Sequence, residues 1–126
     1  MKRIIATQTA PAAVGPYSQA VVAGNLMFCS GQIALDPATG TMVGASPAEQ
    51  TEQVMKNVGA LLAAEGLSLT NVVKATVFAT DMGAFAAVNE VYARFFTSEP
   101  PARSFVEVSA LPKNALVEIE VIAYKR

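Results

Sequence analysis

The stretch Pro101-Ala102-Arg103-Ser104-Phe105-Val106-Glu107-Val108, followed by a connection and then Val117-Glu118-Ile119-Glu120-Val121-Ile122, decides how the rest of the chain is read. Both segments alternate their side chains as strands do, so residues two apart share a face. Arg103, Phe105 and Glu107 form one set, and Ser104, Val106 and Val108 the other. In the second segment Val117, Ile119, Val121 and Ala123 are the apolar set, opposite Glu118, Glu120, Ile122 and Tyr124. The connection from Ser109 to Leu116 holds Pro112 and the turn-prone pair Lys113-Asn114. If the two strands form a hairpin with their apolar sets inward, Arg103 and Glu118 share a face and lie close together. Such a pair is either an ordinary cross-strand ion pair or a carboxylate-binding fork beside an acid/base.

The totals narrow the choice. A chain of 126 residues suggests one domain spanning 1–126. It is 52% hydrophobic and only 15% charged, so polar side chains are too few to cover its surface. A contiguous apolar patch is therefore expected, and with it a homo-oligomer. Nine basic residues stand against ten acidic ones, with no basic run, which disfavours nucleic acid as a partner. The single cysteine, Cys29, forms no intrachain disulfide. With no signal-peptide pattern after Met1-Lys2-Arg3, it fits a cytoplasmic location. Residues 4–35 carry no charge, but Pro11, Gly15, Pro16, Gln19, Gly24 and Asn25 break any membrane span. Histidine is absent, which removes the commonest general base and metal ligand. One thiol and scattered carboxylates make no metal site.

Along the chain, Arg3–Thr7, Ser18–Ala23 and Leu26–Ile33 read as strands, the last two joined by a Gly24-Asn25 turn. Thr41–Val43 is a possible strand stub. Ser46-Pro47-Ala48-Glu49 opens a helix to about Glu65 with a capping box, and Gly66 stops it. Val54, Val58, Leu61 and Leu62 form its buried stripe, while Gln50, Glu52, Gln53, Lys56 and Asn57 are expected to face solvent. Val72–Thr80 is a β-branched strand in which Lys74 reads as an edge charge. Asp81 caps a second helix, Met82 to about Phe96, with Phe85, Val88, Tyr92 and Phe95 or Phe96 inward. Pro100-Pro101 ends it. The order is strand-strand-strand, helix, strand, helix, strand-strand. Two helices on one face of such a sheet give an α+β fold whose other face is open. The Arg103/Glu118 pair is expected on that open face, toward a neighbouring subunit.

Each candidate residue has two readings. Arg103 is a surface ion-pair member or a planar clamp for a carboxylate. Glu118 is a solvated strand residue or an acid/base, with Glu120 as the decoy of equal parity. Ser30-Gly31-Gln32 is a simple bulge or a close backbone approach. Tyr17 is a core residue or an aromatic wall, and Asn89 a solvent-facing or a buried hydrogen-bonder. Cys29 reads as a small buried hydrophobe.

Together these residues resemble the YjgF/RidA family of reactive-intermediate (enamine/imine) deaminases over nearly the whole chain. The signature is Pro101-Ala102-Arg103-Ser104, then Leu111-Pro112-Lys113, then Val117-Glu118-Ile119. Gly15-Pro16-Tyr17-Ser18-Gln19-Ala20, Ser30-Gly31-Gln32, Gln53 to Asn57, and Val88-Asn89 support it. The resemblance implies a chorismate-mutase-like fold, a six-stranded mixed sheet with two helices on one face. It implies a homotrimer with a barrel-like core and active sites in the clefts between subunits. It also implies cofactor-independent hydrolysis of 2-aminoacrylate or 2-iminobutyrate to a 2-keto acid and ammonia. Arg103 would bind the substrate carboxylate and Glu118 would activate water. Tyr17, Ser30, Gly31 and Asn89 would line the pocket, with Phe105 offering a backbone N–H where many members carry cysteine. The competing readings are a non-enzymatic carboxylate-binding or chaperone-like trimer, and an endoribonuclease or translation inhibitor.

Overall fold

The computed structural model describes residues 1–126. One sheet contains six strands: β1 (Lys2–Ile5), β2 (Ala20–Ala23), β3 (Leu26–Gln32), β4 (Val72–Ala79), β5 (Ala102–Glu107) and β6 (Val117–Tyr124). Their spatial order is β1-β2-β3-β6-β4-β5. Helices α1 (Pro47–Ala63) and α2 (Phe85–Phe95) lie on one face of it. All neighbouring strands are antiparallel except β4 and β5, which the α2 crossover makes parallel. The expected α+β order is present, and Thr41–Val43 reduces to a single bridge, Leu35 to Met42.

Local chemistry accounts for the elements. Gly24, with φ of 61°, closes the β2–β3 turn. Ser46 Oγ accepts from the Glu49 N–H, and the Glu49 carboxylate accepts from the Ser46 N–H, which is the reciprocal cap its sequence signals. Val54, Val58, Leu61 and Leu62 are fully buried against Ile119, Val121 and Met27. Two α1 expectations are corrected. Gln50 and Asn57 do not face solvent but are buried, because their amides satisfy loop backbone that no strand pairs. Asp81 caps a short 3₁₀ turn, Met82–Ala84, and the α-helix begins only at Phe85. The α2 stripe is Val88, Val91 and Tyr92, while Phe85 stays exposed.

The terminal hairpin does not form. β6 inserts between β3 and β4, so β4 separates it from β5. The Ser109–Leu116 connection is too long for a tight turn. Its left-handed Lys113 and Asn114, with φ of 55° and 57°, carry the chain past the end of β4. There the Val108 N–H donates to Ala79 O and the Thr80 N–H to Leu116 O. Lys74 is correspondingly no edge residue, since β4 has neighbours on both sides and the edges are β1 and β5.

Register then assigns the faces. Ile5, Ala20, Cys29, Val121, Ala75 and Arg103 lie opposite one another across the sheet, on the helix-covered side. Glu118, Phe78 and Val106 form a row on the other side. That open face displays Ile4, Leu26, Phe28, Val106 and Tyr124, each more than a third exposed. Cys29 is buried as expected, and burial pushes its thiol up to about 12, so it stays protonated. Glu65, just beyond α1, accepts from Arg3 of β1 and Lys125 after β6, and these two cations hold its carboxyl at about 2.

Candidate active site

The candidate residues fall into two clusters on opposite sides of the sheet, not one. The expectation that Arg103 and Glu118 meet on one face of one chain is overturned by the strand order and register above.

The first cluster is built around Glu118. A β-bulge between Cys29 and Gln32 breaks the β3–β6 ladder beside it and places Gly31 against its side chain. A Cβ on Gly31 would sit 2.8 Å from Glu118 Cδ, so only glycine leaves the carboxylate its position. The carboxylate lines a cavity of about 180 Å³ together with Tyr17, Gly31, Gln32 and Lys113. Glu118 is half-buried, and its pKa is raised from the usual value of 4.5, first by desolvation and then by the neighbouring Glu120. Ser30 stands next to this cavity, but its hydroxyl donates to Ser18 O at 2.6 Å.

The second cluster surrounds Arg103, which no carboxylate of the chain approaches as an ion pair. Its Nη1 donates to Asn89 Oδ1 at 2.7 Å. Its guanidinium carbon lies 4.8 Å from the Tyr92 ring centre, 5.4 Å from Phe105 and 5.8 Å from Phe85. Glu107, four residues along on the same face, is engaged elsewhere and accepts from the Met82 N–H at 2.7 Å. Asn89 is thus a buttress of the guanidinium, and Arg103 keeps further donors for an anion.

The chain matches the endoribonuclease L-PSP family model over residues 7–125. The chain belongs to this family. The 2-iminobutanoate/2-iminopropanoate deaminase of Capra hircus is 50% identical to it, over 98% of this chain and 90% of that protein. A crystal structure from Thermotoga maritima superposes with a TM-score of 0.96 at 56% identity, covering 100% of this chain and 99% of that one. The Escherichia coli TdcF structure with bound serine gives 0.94 at 45% identity, covering 98% and 99%. The resemblance read from the sequence and this family are one and the same.

Three residues that hold these clusters, Gln19, Asn57 and Lys113, stand within the motifs that carry the resemblance but receive no role from the sequence. Buried Gln19 accepts from the Thr7 N–H and donates to Pro11 O at 2.7 Å, fixing the loop that carries Tyr17. Asn57 donates to Ile33 O and Leu35 O, two residues of the Glu118 cavity wall. Their signal was an amide among apolar neighbours, which reads equally well as surface. Lys113 reaches the cavity through its left-handed backbone, which alternation along a strand does not convey.

Proposed function

We propose that the chain hydrolyses small 2-imino and 2-enamino acids to 2-keto acids and ammonia. The observation that carries this is Arg103, a guanidinium braced by Asn89 and aromatic rings and left without a carboxylate of its own. A fork so held suits the carboxylate of a small acid. TdcF in its crystal binds serine, a molecule with such a group. Deaminase relatives at about half identity support the reaction class.

Because the sheet separates Arg103 from Glu118, the site must be completed by a second copy, with Arg103 of one subunit facing Glu118 of another. The exposed apolar open face supports a homotrimer closed around it as a barrel-like core. Tyr17, Gly31 and Glu118 then supply one wall, with Ser30 behind it. Arg103, Asn89 and Phe105 supply the other.

The chemistry needs only water. Glu118 takes a proton from water as its oxygen bonds to the imine carbon, and the C=N π pair moves to nitrogen. The same carboxyl returns that proton to the nitrogen. Glu118 then takes the hydroxyl proton and passes it to the amino group, so that as C=O re-forms the C–N bond breaks and neutral ammonia leaves. Burial raises the Glu118 pKa, which favours both transfers. Arg103 holds the carboxylate throughout, and such positioning is worth up to roughly 7–11 kcal/mol. No helix is long and apolar enough to cross a membrane, and the buried free thiol suits the cytoplasm.

Ammonia release from freshly generated 2-iminobutyrate tests the reading. Arg103→Lys is expected to lose most turnover, since an ammonium does not reproduce the fork. Glu118→Gln is expected to bind 2-keto acids but turn over slowly. Undiminished rates in both variants would overturn the assignment. Binding without turnover in the wild type would leave a carboxylate-binding module instead. Salt-sensitive RNA cleavage would favour the activity for which the family is described.

A further inference from the structure

The three rings around Arg103 are not equivalent. Tyr92 is buried and nearest, so it forms the floor beneath the guanidinium. Phe105 is half-buried and Phe85 is 42% exposed, and the two meet edge to face with centres 4.8 Å apart. Phe85 stands at the first residue of α2, where it covers no core residue as Val88, Val91 and Tyr92 do. An apolar ring pair open to solvent beside a cation with free donors matches a ligand with an anionic head and an apolar tail.

We propose that Phe85 and Phe105 form the subsite for the substrate's side chain. The chain therefore prefers 2-imino acids with branched aliphatic or aromatic side chains over those with one or two carbons. This rests on the deaminase reading and names the substrate class within it. A carboxylate docked on the fork places its carbon roughly 4 Å from Arg103 Cζ, and the side chain branches from the next carbon. The Phe105 and Phe85 centres lie 5.4 and 5.8 Å from Cζ, within reach of a side chain several carbons long. An ethyl group reaches a ring edge, whereas an isobutyl or benzyl group covers the pair. Each further buried methylene is worth roughly a fourfold gain in specificity, so the two extra carbons of the leucine imine over 2-iminobutyrate favour it by about fifteenfold when both are buried.

The test uses imines generated in situ by an amino-acid oxidase from leucine and from 2-aminobutyrate. It reads the ratio of kcat/KM for the two substrates, which is independent of the fraction of folded enzyme. The wild-type ratio is expected to favour the leucine imine. Phe85→Ala is expected to lower that ratio about tenfold, chiefly by raising KM for the leucine imine. Phe85→Leu, which restores apolar bulk, should recover most of it. A wild-type ratio at or below one, or a ratio that Phe85→Ala leaves unmoved, overturns the subsite while leaving the deaminase intact. Failure to hydrolyse either imine removes the deaminase reading, and the subsite with it.

Discussion

At the scale of single residues, the site depends on an atom that is absent. Gly31 leaves room for the Glu118 carboxylate, and the atoms a Cβ would crowd are the far end of a flexible side chain. Gly31→Ala should therefore cost little stability, because Glu118 can swing away. It should cost activity, because the displaced carboxylate no longer meets the water. A shift of about an ångström can lower rate roughly a hundredfold. The expected result is a melting temperature within a few degrees of wild type and kcat reduced tenfold or more. A stable variant with wild-type kcat would show that the position of Glu118 is unimportant. Gly31 was legible in the sequence as a break in a strand, and Glu118 as one of two equivalent glutamates. What separates Glu118 from exposed Glu120 is the bulge, which sets Gly31 against Glu118 in the cavity shared with Tyr17 and Lys113, whereas Glu120 borders a different hollow with Phe28 and Lys74.

At the scale of elements, helix α1 does more than cover the sheet. Its capping box and its Val54–Leu62 stripe follow directly from residue order, and both are present. Its buried amides are not legible in the sequence, because the periodicity of a helix tells which side a residue occupies but not whether a loop crosses that side. Asn57 is 1% exposed and satisfies two carbonyls of the loop after β3. Asn57→Ala removes both bonds, leaving Ile33 O only the Leu35 N–H and Leu35 O only the long contact from Gln53, at a cost of about 1–3 kcal/mol. It should lower the melting temperature measurably and reduce activity beyond what unfolding explains, since Ile33 and Leu35 wall the Glu118 cavity. Unchanged stability would mean that water replaces the amide freely. The neighbours of β5 and β6 are not legible in the sequence for a related reason. Alternation fixes which residues of a strand share a face, but a strand's neighbours depend on the connections. Here the α2 crossover made β5 parallel to β4 and gave the place beside β4 to β6.

For the whole molecule, the place of β6 between β3 and β4 decides where Arg103 and Glu118 lie. Arg103 faces the helices and Glu118 faces the open side, so under the proposed function one copy holds two half-sites. If two subunits complete each site, Arg103→Ala and Glu118→Gln damage different halves. Each variant alone is expected to be inactive. Unfolded together and refolded at equal amounts, they should form mixed trimers. A site is then intact only when one subunit brings Arg103 and its neighbour brings Glu118. Random assembly of a cyclic trimer gives that combination at about one site in four. Roughly a quarter of wild-type ammonia release should therefore return, although neither component has activity. Mixed trimers verified by mass spectrometry that stay inactive would require Arg103 and Glu118 to act within one subunit, which the intervening β4 strand opposes.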